Sequence, residues 1–501
     1  MNQLRAGVLL SYLSIFISIV IALVYTPFMI RILGQSEYGL YSLIGSIAAY
    51  FSVMDMGLGN AIVRYTSRNN AIGDKANEAK LNGLFLLLYS IIGIITVLIG
   101  IIAFNSIDTI FSGNLSELEL QKAKIMIIIL TINFALSFPL SIFSSIIRAY
   151  ERFVVDKLVS ITRIILSPLL ILPIILMGYG AISMVIITTV VNLSCLTFNV
   201  FYSFRKLHIK FHFGKIDTNL LKEILAYSLL VFLGVLVDQI YWQTDQIILG
   251  AVRGTIPVAI YAIGMQFVNL YIQFSTSISG LLLPKASKMV AKQASSEELT
   301  NMMIKFGRIQ YAILAYILIG FILVGQPFIS FWAGENYNQA YYIVLIIMIP
   351  LTIPLIQNTG ISILYAKNLQ GFRSVVLIFI ALLNIVISIP LAKIYGGIGT
   401  AVATAVSLTL GNSIIMNIYY HKKIGINISL FWKNILLMTF PMIISFTIGA
   451  LINYFVISYN IGIILLKIIG FSIVYILMMW KFSLTDKEKE IFISIVNRVR
   501  F

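Results

Sequence analysis

Two aspartates seven residues apart, Asp238 and Asp245, pose the first chemical question, because both fall inside a long apolar run. An ionisable group at such depth in a bilayer is costly and marks a functional position by default. The spacing puts both on one helix face. Gln239, Trp242 and Gln246 project from the same side, within a stripe of about 120°. Asp55 is the third acid well inside an apolar run. Carboxylates in this setting can take up a proton or a sodium ion, so the three are candidate ion-coupling residues. Gln266, Asn269 and Gln273 form a second polar stripe in the following run, and Asn133, Ser137, Ser141, Ser144 and Arg148 a third in an earlier one. Stripes of this kind line a wet cavity or supply hydrogen bonds between helices. Three guanidiniums, Arg31, Arg148 and Arg163, lie in or at the ends of runs. One facing a cavity can grip a phosphate bidentately. The competing role for Arg31 and Arg148 is to snorkel to the interface; for Arg163 it is to pair with an acid such as Asp55. Trp242 and the tyrosines can stack on sugar rings, although aromatics more often form interface belts.

The elements that must position these residues are transmembrane helices. Of the 501 residues, 59% are apolar and 11% charged, whereas a soluble domain carries about a quarter charged residues. Apolar windows of about 20 residues predict fourteen spans at 6–31, 38–63, 81–103, 122–147, 155–177, 180–203, 219–249, 255–284, 308–331, 341–366, 373–393, 396–420, 434–457 and 461–480. The first is too long for a signal peptide and has no A-x-A site after it. The net charge of +16 does not indicate nucleic acid, because the basic residues alternate along the chain in short loops. With both termini in the cytoplasm, about 28 of the Lys and Arg residues fall on the inner side, as the positive-inside rule requires. The basic tail, 481–501, reads as a surface amphipathic helix. The single cysteine, Cys195, excludes a disulfide framework. The three histidines, placed in loops, give no zinc pattern. No cofactor is expected. No loop has room for a soluble catalytic domain, so function must reside within the bundle.

The halves resemble each other. Ala149 pairs with Ala366, Val159 with Val376, Pro173 with Pro390 and Gly180 with Gly397, at a constant separation of 217 residues. Ile32-Leu33-Gly34 pairs with Ile248-Leu249-Gly250, and Leu40-Tyr41 with Ile260-Tyr261. On this register Asp245 corresponds to Met29 and Asp238 to Ala22. The expected architecture is all-α: two six-helix lobes, 1–218 and 219–424, related by a pseudo-two-fold axis along the membrane normal, with a C-terminal pair of spans and tail, 425–501. This is the plan of an alternating-access transporter.

RILGQSEYGLYSL (Arg31–Leu43), MDMGLGNAIVRY (Met54–Tyr65), TDQIILG (Thr244–Gly250), LLLPKASK (Leu281–Lys288) and YGGIGTAVAT (Tyr395–Thr404) occur in order along the chain. Together they resemble the polysaccharide transporter branch of the multidrug/oligosaccharidyl-lipid/polysaccharide exporter superfamily, the Wzx-type flippases of O-antigen and capsule repeat units. The resemblance implies a plasma-membrane protein that moves undecaprenyl-diphosphate-linked oligosaccharide from the inner to the outer leaflet. It implies drive by an ion gradient and work beside polysaccharide polymerases and glycosyltransferases. It also implies, from the related lipid II flippases, a cationic cavity and a lipid-tail groove at the last two spans. This chain departs from that pattern in having only Arg163 securely inside a lobe. No GxxxxGK[ST] motif is present. Two other readings stand beside this one: a multidrug or small-molecule cation antiporter of the same superfamily, and a membrane-embedded glycan polymerase or acyltransferase.

Overall fold

A computed structural model describes residues 3–214, 218–279, 282–456, 461–486 and 488–490. The first seven helices are α1 (Gln3–Ser52), α2 (Leu58–Ile72), α3 (Lys75–Phe111), α4 (Glu117–Ala149), α5 (Phe153–Leu176), α6 (Ala181–Leu207) and α7 (Thr218–Arg253). They are followed by α8 (Thr255–Ser279), α9 (Leu282–Ala291), α10 (Ser296–Trp332), α11 (Gln339–Ile356), α12 (Asn358–Ala366), α13 (Gln370–Leu408), α14 (Met416–Tyr419), α15 (Ile428–Phe455) and α16 (Ile461–Phe482). No strand occurs among the described residues.

Among the described residues, 12 helical stretches are long and apolar enough to cross a membrane. Two of them, Ala6–Ile72 and Gln370–Ile424, run to 67 and 55 residues. Each passes through a glycine with non-helical backbone: Gly34 at φ 79° and Gly396 at φ 59°. Only glycine adopts such angles at no steric cost. Were each stretch to cross twice, turning at its glycine, the 12 stretches would make the fourteen spans expected from the sequence. The tail helix expected over 481–501 lies mostly outside the described residues. His421, expected in a loop, instead sits in a π-helical turn, Tyr420–Ile424, closing the run that begins in α13.

By its internal contacts the chain forms two compact units, Met1–Ala259 and Ile260–Phe501. The core of the first is built from Leu58, Ile62, Phe85, Tyr89, Phe138 and Ile142 on α2, α3 and α4. Small residues set the helix spacing. At Gly39 an added Cβ would lie 1.9 Å from the Thr255 carbonyl oxygen, and at Gly93 2.7 Å from that of Ala135. In the second unit α15 and α16 pack on α10 through Ala312, Ala315, Met438, Met442, Phe471 and Tyr475. Tyr475 donates to the Ala312 carbonyl at 2.7 Å.

The repeat is written into the backbone. Left-handed residues recur at Gly34 and Gly254, Gly73 and Gln293, Glu151 and Asn368, Gly178 and Gly396, and His208 and Gly425. α3 and α10 are both 37 residues long, and both follow an N-capping side chain, Asp74 in one and Ser295 in the other. This register corrects the start of the sequence alignment. Gly34 pairs with Gly254, not Gly250, so Asp245 corresponds to Tyr25 and Asp238 to Ser18. Neither acid has an acidic counterpart on either register.

Candidate functional site

The second predicted span is not continuous. After Ser52 the chain makes one 3-10 turn, Val53–Asp55. Met56 and Gly57 follow in the left-handed region, at φ 50° and 68°, before α2 resumes at Leu58. Gly57 is required here on two counts. Its φ disfavours any side chain, and a Cβ would meet Val231 of α7 at 2.5 Å. A helix broken within the bilayer frees backbone polar groups and is tolerated where protein or a wet cavity satisfies them. Such breaks are where transporters of several folds place their binding residues.

Asp55 sits at this break and accepts a hydrogen bond from the Tyr89 hydroxyl at 2.7 Å. Ser141 and Arg148 also lie close enough to act on that hydroxyl. Arg148 Nη2 donates to Ser145 Oγ at 3.1 Å. Gly59 lets α2 close on this group: a Cβ there would stand 3.2 Å from Ser145 Oγ, 3.7 Å from the Tyr89 oxygen and 3.8 Å from Arg148 Nη2. A carboxylate, a phenol, hydroxyls and an exposed guanidinium thus form one connected polar group. Arg148 is its accessible end.

The corresponding place in the second unit is neutral. Ser275, Gln310 and Asn358 occupy the positions of Asp55, Tyr89 and Ser141. Gln310 Nε2 donates to Ser275 Oγ at 3.2 Å, and Asn358 Nδ2 to the same oxygen at 2.9 Å. Ser275 Oγ in turn donates to the Leu355 carbonyl at 2.9 Å. The scaffold repeats, but the charge is confined to the first unit.

A second polar seam joins α1 and α7. Ser46 Oγ donates to Gln246 Oε1 at 3.0 Å, and the Tyr50 and Thr244 hydroxyls share a hydrogen bond of 2.6 Å. Asp245 is buried here at 2% exposure, within electrostatic reach of Tyr50 and Tyr241. Asp238 is exposed. The two acids share a helix face in sequence, but their surroundings differ. Trp242 packs edge-on against Tyr241, with ring centroids 4.7 Å apart. Gln239 Oε1 is buried with no hydrogen-bond partner among the described residues.

The remaining sequence candidates are dispersed. Asn133 and Ser137 both receive hydrogen bonds from Asn192 Nδ2, at 2.9 and 2.8 Å. Ser144 receives one from Asn199 at 2.8 Å. This upper part of the α4 stripe therefore joins α4 to α6, the interhelical role. Arg163 is half-buried on α5, and its Nε has no partner among the described residues; Asp55, the acid considered for it, is bonded to Tyr89 instead. Arg31 is exposed. Gln266 is half-buried in the second unit, where Asn269 and Gln273 are exposed. Tyr89 was missed from sequence, because one tyrosine among 26 in an apolar run is indistinguishable from packing. Among the described residues no group of three or more His, Cys, Asp or Glu side chains is placed to hold a metal ion.

In the first turn of α4, ahead of the span predicted at 122–147, Glu119 accepts from Ser36 at 2.6 Å and from Thr255 at 2.7 Å, and completes a capping box with Ser116. Burial pushes its carboxyl upward, but these donors outweigh it and hold the group below the usual carboxylate range.

A family model described as polysaccharide biosynthesis protein matches residues 4–290. The chain is 25% identical over 456 residues to the uncharacterized membrane protein EpsK of Bacillus subtilis (strain 168), covering 89% of this chain and 87% of that one. Among solved structures it superposes on the lipid II flippase MurJ in an inward closed conformation with a TM-score of 0.75 and 18% identity, over 94% of this chain and 98% of the other. It also superposes on an inward-facing multidrug resistance MATE family transporter of the MOP superfamily with a TM-score of 0.62 and 17% identity, over 81% and 99%. These likenesses establish a shared fold.

Proposed function

The chain belongs to the polysaccharide biosynthesis protein family, and from that premise we propose that it is a flippase for lipid-linked oligosaccharide in the plasma membrane. On this reading the substrate is an undecaprenyl-diphosphate glycan, carried from the inner to the outer leaflet for a surface polymer such as capsule or O-antigen. The termini are cytoplasmic, and the lobes 1–218 and 219–424 alternate access around the headgroup, with spans 13 and 14 beside the lipid tail. The fold shared with a protein named as a lipid II flippase supports this direction.

The observation that carries the reading is the charged group at the broken second span. A guanidinium left accessible beside two hydroxyls offers a fork of donors to a diphosphate. Asp55, held by Tyr89 two bonds further in, can respond to that event or to a proton. Arg163, with an unpartnered buried Nε, and Arg31 are the further cations assigned to the diphosphate. The polar side chains Gln239, Trp242, Gln246, Gln266, Asn269, Gln273 and Asn133 are assigned to the glycan. Asp245 and Asp238 are assigned to the coupling ion, proton or sodium, whose occupancy biases the two access states.

Complementation of a flippase-deficient strain tests this. The wild-type chain restores surface polymer, and Arg148→Ala with Arg163→Ala at normal expression does not. Normal polymer in that double variant overturns the diphosphate assignment. Resistance to cationic drugs without polymer points to the antiporter reading. Product turnover by detergent-purified protein with no second compartment points to a membrane enzyme.

A further inference from the structure

We propose that the cleft between α5 and α6 binds one anionic phospholipid, with an acyl chain in the cleft and the phosphate between Arg152 and Arg205. The cleft measures about 420 Å³ and is walled by Val155, Leu158 and Val159 on α5 and by Cys195, Phe198 and Tyr202 on α6. Thr162, Leu166 and Ser194 complete a lining whose surface is mostly apolar, which suits a hydrocarbon chain. The cations stand at its mouth. Arg205 follows Tyr202 by three residues on α6, so helical spacing puts it on the cleft side, one turn beyond the wall. Arg152 is the residue immediately before α5, at the same end of the helix pair. Both are exposed, and neither makes an ion pair among the described residues. The Arg205 guanidinium lies 4.7 Å from the Phe201 ring centroid, which holds it at the helix end. Lys157 and Lys206 stand on the adjoining turns, against the carboxylates of Glu151 and Asp156, and the balance is positive. An apolar slot between spans with a basic rim is complementary to a single anionic amphiphile, because a net positive rim favours a headgroup of net negative charge over one whose phosphate is already offset by its own cation.

The second repeat shows the same place closed. At the 217-residue separation, Val155 corresponds to Phe372 and Tyr202 to Tyr419. Those two rings stack with centroids 4.1 Å apart and planes 11° from parallel. Gly411 replaces Ser194, and the backbone comes so near that a Cβ would meet Ile380 at 2.1 Å. The cleft is therefore a property of the first repeat, kept open by the small side chain of Val155. It lies within α5 and α6 alone and does not depend on the substrate reading above.

The only cysteine of the chain lines this cleft and reports on its occupancy. The full-length protein is placed in nanodiscs of phosphatidylcholine, with or without phosphatidylglycerol, and the rate of Cys195 modification by N-ethylmaleimide is followed. Phosphatidylglycerol is expected to slow modification severalfold. Arg152→Gln/Arg205→Gln, two exposed substitutions outside the wall of the cleft, is expected to abolish that difference. Val155→Phe, borrowed from the second repeat, is expected to protect Cys195 in either lipid. Equal rates in the two lipids for the wild type overturn the proposal. So does protection that survives in the arginine double variant, or protection by inorganic phosphate added to phosphatidylcholine discs. If Val155→Phe does not fold, the arginine pair decides.

Discussion

Tyr89 donates its hydroxyl to Asp55 at 2.7 Å, and the acceptor lies where the helix that carries it breaks. At the equivalent place in the second unit, Gln310 donates to Ser275. One hydrogen-bonding scaffold therefore exists twice, once with a carboxylate and once without. An acid kept in only one of two matched positions is not needed to hold the scaffold together. Its chemical role is separable from its structural one.

Tyr89→Phe removes the donor and leaves Asp55 in place. A hydrogen bond to a charged group contributes about 1.5–3 kcal/mol, so polymer export in complementation should fall about tenfold or more if the pair acts in transport. Asp55→Ser copies the second unit. It should retain folding, read as an unchanged monodisperse elution and melting temperature, while export is lost. An Asp55→Ser variant that exports normally removes Asp55 from the mechanism.

Gly39 sits where an added methyl would come within 1.9 Å of the Thr255 carbonyl oxygen. Backbone cannot swing aside as a side chain can. Gly39→Ala should destabilise the protein by about 1–3 kcal/mol, the usual cost of overpacking, seen as a lower melting temperature in detergent. Gly45→Ala is the control: a Cβ there meets nothing within 4 Å, and alanine is the better helix former, so it should not lower the melting temperature.

Arg308 grips Glu488 through Nε at 2.8 Å and Nη2 at 3.0 Å, and also donates to the carbonyls of Ser483 and Asn434. Both side chains are buried. The link ties α10 to the segment after α16. Removing one partner of such a pair costs about 3–5 kcal/mol, so Arg308→Ala should lower the melting temperature markedly. Burial raises the Glu488 carboxyl, but Arg308 and the Thr485 backbone hold it below its ordinary value of 4.5. A depressed folded-state pKa gives stability that is complete above the unfolded value and lost as pH falls through the folded one. Acidification from pH 5 downward should therefore lower the wild-type melting temperature more steeply than that of Glu488→Gln. Parallel slopes contradict the linkage.

The spans were legible because a bilayer demands about 20 apolar residues at a time, and that requirement leaves its mark whatever the packing. The repeat was legible at Pro173 and Pro390, where the residue type is rare. It slipped by four residues at Gly34, because Gly250 and Gly254 both follow an apolar run and only the backbone angle tells them apart. The polar stripes were legible as stripes, but not their use. Asn133 and Ser137 bond to Asn192 on α6, and a helical wheel does not show which neighbour lies opposite. Tyr89 was illegible for the same reason: its partner is 34 positions away and on another helix.

Burial separates the two aspartates of α7. Asp245 is 2% exposed beside the hydroxyl pair of Tyr50 and Thr244, whereas Asp238 is exposed. A carboxylate taken from water gains most from a proton or a bound cation, so the coupling role we propose falls more heavily on Asp245. Asp245→Asn mimics permanent neutralisation and keeps the shape. In reconstituted vesicles it should uncouple headgroup translocation from an imposed proton or sodium gradient, with the residual rate the same with and without the gradient. Asp238→Asn should retain most of the gradient dependence. Equal effects of the two substitutions would contradict the burial argument, and full gradient response in the double variant would remove α7 from ion coupling.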